Sequence, residues 1–112
     1  MMNSAVASKR IVTFVPADRA AAFAKSIAAD IPHLFGEYDS VCWWSAPKTE
    51  EGVEQYRPRP DGEITQTLSV RMEFSIPADP TALEKFIATL KNHHPWQEPV
   101  ILVFNSQILD HK

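Results

Sequence analysis

The segment HHPWQEP, residues 93–99, gathers the side chains of this sequence that could do chemistry. The imidazoles of His93 and His94 and the carboxylate of Glu98 are of the kinds that bind divalent metal ions. Adjacent histidines do not match the spacing of a zinc finger, and a metal site needs several ligands from convergent positions. The three residues are therefore a candidate metal site, and the alternative is a purely structural role.

The position of the two histidines favours the structural role. They fall at the end of a run with helical periodicity, where an imidazolium is stabilised by the helix dipole and bonds to free carbonyl groups. Pro95 and Pro99 restrict the residues before them to extended backbone, so residues 94–99 should form a stiff corner between a helix and a strand. Glu98 is not needed for that corner, and it either binds a ligand or pairs with an arginine. The candidate arginines are Arg57, Arg59 and Arg71.

Two strand-like runs end in the same tripeptide, Pro-Ala-Asp, and a helix-like run follows each of them. Asp18 and Asp79 are the predicted N-caps, because a carboxylate there accepts hydrogen bonds from free amide groups. Pro80 strengthens the second prediction, since proline has no amide to satisfy at the first helical position. The helices are predicted at about 18–30 and 80–92, each with an apolar face at helical spacing.

Four strands are predicted, at residues 11–15, 38–44, 68–76 and 99–104. The third alternates apolar and polar residues, as a strand with one buried face does, and the fourth is a continuous apolar run typical of a strand covered on both faces. The order of elements predicts an α+β fold, the ferredoxin-like βαββαβ sandwich, with a four-stranded antiparallel sheet and both helices on one face. Residues 46–65 are predicted to form a long connection of the kind that often carries function.

Three aromatic or reactive residues fall close together in the second predicted strand. Successive side chains of a strand point to opposite faces, so one of Trp43 and Trp44 must lie on the face that the helices leave open. An exposed tryptophan there suggests a subunit interface or a ligand platform. Cys42 should be an inert thiol, because a nucleophile needs a base beside it and no neighbouring residue supplies one.

Composition limits the classes of function. A chain of 112 residues predicts one domain, here residues 9–112 after a flexible N-terminus at residues 1–8. A net charge of -3 argues against a nucleic-acid partner, and no apolar run reaches the roughly 20 residues of a membrane span. The single cysteine excludes an internal disulfide, so we expect a soluble, cytoplasmic protein. The sequence has no phosphate-binding glycine loop, CxxC pair or nucleophile elbow, and thus no complete catalytic constellation.

Four short segments, in order, resemble the CutA-like domain that is inserted in proteins of the NGG1-interacting-factor family. HPWQEP resembles that domain's HPYEEP and the HPYE-x-P of CutA itself. IVTFVP resembles its first strand and helix entry, GEYDSVC at 36–42 its G-x-Y-D-x-C, and YRP at 56–58 its F-R-P. The likeness covers about residues 11–104 and implies a PII/CutA-type ferredoxin-like fold, in agreement with the periodicity. Two departures are Gln97, in place of a glutamate, and EEGVEQ, in place of a Gly-Thr-Gly run.

The resemblance also bears on ligands and assembly. CutA proteins are associated with divalent-cation tolerance and form trimers, so it implies a homo-oligomer, a trimer rather than a dimer. The di-metal ligands of the larger family lie in flanking domains, and this chain is too short to hold them. A divalent metal remains the only cofactor considered. The ligand-binding candidates are Tyr38, Arg57, His94, Trp96 and Glu98.

These observations lead to one main hypothesis and two alternatives. The main hypothesis is a non-catalytic, oligomeric binding or regulatory module whose ligand is a divalent metal or a small polar molecule. The first alternative is a small metal-dependent enzyme that uses the HHPWQEP segment. The second is a protein-interaction domain that acts through residues 46–65.

Overall fold

The computed structural model of the chain describes residues 5–34, 36–45, 52–59 and 61–109. Its helices are α1 (Ala20–Ile27) and α2 (Pro80–His93), and 3-10 turns at Ala17–Arg19 and Ala28–Asp30 flank α1. Its strands are β1 (Ala5–Pro16), β2 (Trp43–Trp44), β3 (Gly52–Tyr56), β4 (Thr65–Pro77) and β5 (Ile101–Leu109). The predicted α+β class is confirmed. None of the helices in these ranges is both long enough and apolar enough to cross a membrane.

The strands form one antiparallel sheet in the order β2–β4–β1–β5, and β3 pairs with the same edge of β4 as β2. β1 pairs with β4 from Ser8↔Pro77 to Pro16↔Ser69, and with β5 from Ala5↔Leu109 to Thr13↔Ile101. This is the predicted ferredoxin-like order. It fixes which side chains lie beside one another on each face of the sheet.

The hydrophobic core lies between the two helices and one face of the sheet. Every second residue of β4, from Val70 to Ile76, is buried and packs against the apolar faces of α1 and α2. The rings of Phe74 in β4 and Phe86 in α2 meet edge to face with their centroids 5.0 Å apart. No described helix contributes to the opposite face of the sheet, which we call the open face.

The sheet has five strands rather than the predicted four. Only Trp43–Trp44 of the predicted strand at 38–44 pairs with β4, because Ser40 has a φ of 57° and the chain turns away there. β3 lies within the predicted connection at 46–65, of which residues 46–51 and 60 lie outside the described residues. A polar strand such as GVEQY carries no alternation that would distinguish it from a loop.

The sheet also begins earlier than the predicted domain boundary at residue 9. β1 starts at Ala5, so residues 5–8 of the predicted flexible N-terminus are paired with β5, and residues 1–4 lie outside the described range. Ser8 is buried, and its hydroxyl is hydrogen-bonded to the hydroxyl of Ser106 at 2.7 Å. The partner of this segment is about a hundred residues away in sequence, so local hydrophobicity did not reveal the pairing.

The two predicted N-caps have different outcomes. Asp79 caps α2 as predicted, and its carboxylate accepts hydrogen bonds from the amides of Thr81 (3.4 Å) and Ala82 (3.2 Å). The prediction for Asp18 is wrong, because it lies inside a 3-10 turn and makes no capping hydrogen bond. Pro80 fixes the first turn of α2, whereas no proline follows Asp18.

Asp79→Ala should lower the free energy of unfolding by about 1 kcal/mol, because two amides at the start of α2 lose their acceptor. Asp18→Ala is the matched control and should change it by less than about 0.5 kcal/mol. Urea denaturation of the three proteins measures both values. Equal losses in the two variants would mean that the cap at Asp79 contributes nothing specific.

Candidate functional site

The HHPWQEP segment is built around the buried ring of His94. α2 ends at His93, and the backbone amide of His94 still donates to the Leu90 carbonyl at 2.9 Å. The Nε2–H of His94 donates to the Phe14 carbonyl of β1 at 2.8 Å, and its Nδ1 accepts from the Trp96 amide at 3.1 Å. Both ring nitrogens are therefore engaged, and the imidazole is neutral.

The surroundings of the ring explain why it stays neutral. It packs against Phe23, with centroids 5.3 Å apart, and against Trp96, with centroids 5.4 Å apart. Desolvation by burial lowers the pKa of His94, and the hydrogen bond to the Phe14 carbonyl partly opposes that shift. A neutral ring with both nitrogens bonded has no lone pair to offer a metal. His94 instead ties α2, β1 and the corner together.

The three predicted metal ligands do not converge. His93 is exposed and its Nδ1–H donates to the Thr89 carbonyl at 3.0 Å, while His94 turns inward and Glu98 is exposed. Within the described ranges, no group of three or more His, Cys, Asp or Glu side chains is placed to hold a metal ion. The site predicted from these residues is therefore not formed within the described chain, because neighbouring residues at a helix end point in different directions.

The ligand-binding candidates are also spread along the sheet. Tyr38 lines the cavity that also contacts Ser75 of β4. His94 and Trp96 lie near Arg71 of β4, because His94 bonds to the Phe14 carbonyl opposite Arg71, and Arg57 follows Tyr56, which pairs with Thr65. At about 3.3 Å per residue, these three positions of β4 are roughly 13 Å and 20 Å apart. The structure does not bring the candidates into one pocket.

Glu98 does not find the arginine that was one of its two predicted partners. The ion pairs among the described residues are Arg10–Glu73 and Arg71–Glu73. Arg71 is thus engaged with another carboxylate, and Glu98 pairs with none of its candidate arginines in the described chain. Its alternative role, binding a ligand, remains a prediction.

The open face carries large apolar side chains on three strands, β2, β1 and β5, with a glutamate of β4 between them. Trp43 lies opposite Glu73, Glu73 opposite Val12, and Val12 opposite Leu102. Trp43 is 51% exposed, Leu102 41% and the neighbouring Phe104 47%. Trp44 points the other way and packs against the core. The prediction that one of the two tryptophans faces the open side is confirmed.

The predicted burial of both faces of β5 is wrong for the chain by itself. Leu102, Val103 and Phe104 are all more than two-fifths exposed. Leu102 and Phe104 lie on the open face, which no described element covers, whereas Val103 lies on the helix face of β5, at one edge of the sheet. The sequence pattern of a fully covered strand is therefore present without the element that would cover it.

A charged cluster interrupts the apolar row. Glu73 Oε1 accepts from Arg10 Nε at 2.7 Å and from Arg71 Nη2 at 3.3 Å. The Glu73 side chain is only 13% exposed, whereas both arginines are about half exposed. One carboxylate between two guanidinium groups leaves the cluster with a net positive charge. Sequence reasoning missed it because Arg10 and Glu73 are 63 residues apart and only the register of β1 and β4 brings them together.

A cavity of about 560 Å³ lies between the sheet and residues 31–34 and 38–43. Cys42 and Tyr38 line it together with Arg10 and Glu73 of the sheet. Burial raises the pKa of the Cys42 thiol, so the thiol stays protonated at neutral pH. That state is consistent with the inert thiol predicted from the sequence, because the thiolate is the nucleophilic form.

Comparison with known proteins gives the fold and no family assignment. No family model and no curated protein matches the chain. The structure of a Bacillus cereus protein related to NIF3 is 25% identical with a TM-score of 0.74, and the match covers 97% of this chain and 28% of that one. CutA from Synechococcus elongatus is 18% identical, with a TM-score of 0.65 and coverage of 92% and 82%. CutA1 from Oryza sativa is 13% identical, with a TM-score of 0.64 and coverage of 90% and 81%.

These likenesses show a CutA-like fold. The chain spans little more than a quarter of the Bacillus cereus protein but most of each CutA chain. The predicted PII/CutA-type architecture is thereby confirmed.

Proposed function

We propose that this chain is a non-catalytic binding or regulatory module that works as a homo-oligomer assembled through the open face of its sheet. The observation that carries the proposal is the exposed apolar row on that face, with Trp43, Leu102 and Phe104 each 41–51% exposed. Large contiguous apolar patches are rare on monomers and mark interaction surfaces. The covered-strand pattern of β5 supports the same conclusion, because a second chain would supply the missing cover.

The size of the open face supports a subunit interface. β1 shares nine paired positions with each of its neighbours. Strands about 4.8 Å apart with a rise of about 3.3 Å per residue give a four-stranded face of roughly 15–20 Å by 30 Å. A standard interface hides about 800 Å² of accessible surface on each partner, which a side-chain-covered face of this size approaches.

The charged cluster on the open face is partly neutralised within the chain. Glu73 is already held between Arg10 and Arg71, so part of its desolvation is offset within the chain itself. From the resemblance to CutA proteins we expect three subunits rather than two.

From the resemblance to the NGG1-interacting-factor family, the proposal uses only the likeness to its CutA-like domain. The four segments found in order and the 25% identity to the Bacillus cereus protein support a relationship to the CutA-like part of such proteins. Because the match covers 28% of that protein, its remaining domains and their chemistry are not carried over. The ligand we propose is a divalent metal ion or a small polar molecule.

The assembly is tested by the molar mass of the untagged protein, measured by light scattering at micromolar concentration. We expect about three times the chain mass of 12.6 kDa. A molar mass of two chains would indicate a dimer through the same face instead of a trimer. The mass of a single chain would contradict the proposal, because the apolar row would then stay exposed in solution.

A further inference from the structure

Beyond the end of β1 the sheet continues as two strands only. β1 pairs with β4 as far as Ser69, and residues 65–68 of β4 pair with β3 alone. We call these residues, together with 53–56 of β3, the arm. Val53 and Leu68 lie directly opposite each other on the arm, and they are 59% and 57% exposed. Two strands alone are marginally stable in water, so contact with another surface would stabilise the arm.

The arm carries a carboxylate on the open face. Side chains of β4 alternate between the two faces, so Thr67 lies on the same face as Arg71 and Glu73. Glu54 of β3 is directly opposite Thr67 and therefore projects from the open face as well. The described strands contain two acidic residues, Glu54 and Glu73, and both are on this face.

Arg71 is the less well paired of the two arginines in the charged cluster. Glu73 Oε1 accepts from Arg10 Nε at 2.7 Å, whereas Arg71 Nη2 lies 3.3 Å from the same oxygen, which is long for a charge-assisted hydrogen bond. Asp39 lines the cavity beside Arg10, and Arg71 does not line that cavity. The Arg71 side chain is 51% exposed, so covering the open face would remove its water without supplying a full partner.

Glu54 does not supply that partner within its own chain. It lies opposite Thr67, which is four residues, or about 13 Å, from Arg71 along β4. The Arg71 side chain is directed the other way along the strand, towards Glu73. The ion pairs of the described chain accordingly do not include Glu54. A second copy is free of this constraint, because its arm approaches from outside the chain.

We infer that the arm of one copy lies across the open face of the next copy, where its Glu54 pairs with Arg71. The inference rests on the proposed assembly and names the residues that meet in it. Contact between two different patches is heterologous, which is the kind of contact that closes a ring of three copies. The added carboxylate gives the cluster two acidic groups for its two guanidinium groups, so no charge is buried there without a partner.

A disulfide between positions 54 and 71 tests the contact. Glu54→Cys and Arg71→Cys are combined with Cys42→Ser in the full chain, whose single natural cysteine is Cys42. A disulfide needs Cα atoms within about 7 Å, so the separation of these positions within one chain excludes an internal bond. After mild oxidation we expect covalent trimers on a non-reducing gel and the 54–71 bond in the peptide masses. The control pair, Glu84→Cys on the exposed side of α2 with Arg71→Cys, should link at least about tenfold more slowly.

A charge reversal tests the ion pair without cysteines. Glu54→Arg places a third guanidinium group at the cluster and should weaken association at least about tenfold, whereas Glu84→Arg makes the same change on α2 and should leave it unchanged. Analytical ultracentrifugation over a dilution series measures both.

The outcomes separate this inference from the assembly itself. If the wild type assembles but positions 54 and 71 link no faster than the control pair, or if Glu54→Arg associates as tightly as the wild type, the inference is overturned and the assembly through the open face stands. A wild type with the mass of a single chain would overturn both.

Discussion

Replacing His94 by alanine should lower the free energy of unfolding by about 3 kcal/mol. The ring is buried between Phe23 and Trp96, so its removal leaves a cavity at the junction of α2 and β1. The Phe14 carbonyl and the Trp96 amide lose their partners at the same time. Urea denaturation at a fixed protein concentration measures the change.

A second substitution separates packing from hydrogen bonding at this position. His94→Phe keeps a ring of similar size but bonds to neither backbone group, so it should cost about 1–3 kcal/mol. Glu98→Gln, an exposed position in the same corner, is the control and should stay within about 0.5 kcal/mol of the wild type. If Glu98→Gln proved as destabilising as His94→Ala, the corner would depend on the carboxylate as much as on the imidazole.

The same histidine predicts how stability depends on pH. Burial lowers the pKa of His94 in the folded state, so the unfolded chain takes up its proton first as the solution is acidified. The contribution of the neutral ring is fully present above the ordinary pKa of histidine and is lost as pH falls through the lowered value. The stability difference between the wild type and His94→Phe should therefore shrink as pH falls from neutral through that window. A difference independent of pH would contradict a neutral, buried imidazole.

Phe104→Glu should break the assembly. The side chain is 47% exposed on the open face, opposite Arg10, and a second chain packed there would have to desolvate a carboxylate in place of an apolar ring. A penalty of several kcal/mol weakens association by a factor on the order of 1,000. Ala22→Glu places the same charge on the exposed side of α1 and should leave the assembly intact. Analytical ultracentrifugation of the two variants measures the number of subunits in each. If Phe104→Glu keeps the same number of subunits as the wild type, the interface does not include Phe104.

The elements with strong local patterns could be predicted from the sequence. The alternation along β4 and the cap and proline that open α2 specify those elements without tertiary information, and both are found close to their predicted bounds. β3 and the first residues of β1 could not be predicted, because their polar or small side chains become strands only through pairing with distant partners. The repeated Pro-Ala-Asp tripeptide was not sufficient to predict an N-cap. Its aspartate caps α2 at Asp79, but at Asp18 it lies in a 3-10 turn before α1.

The candidate site could also be predicted only in part from the sequence. The sequence identified HHPWQEP as a corner, and the backbone restriction imposed by its prolines was sufficient for that prediction. It could not show that His94 turns inward to the Phe14 carbonyl, 80 residues away. The Arg10–Glu73 pair and the cavity beside it depend on strand register and on one left-handed residue, Ser40, neither of which a local pattern reveals.

The burial of the open face is measured most directly by hydroxyl-radical footprinting of Trp43 in the wild type and in Phe104→Glu. Trp43 is half exposed in the single chain, so assembly through this face should make it react severalfold more slowly in the wild type than in the variant. Tyr38, 81% exposed, should react at the same rate in both and serves as the internal control. If Trp43 reacts equally fast in the two proteins, the open face is not the subunit interface.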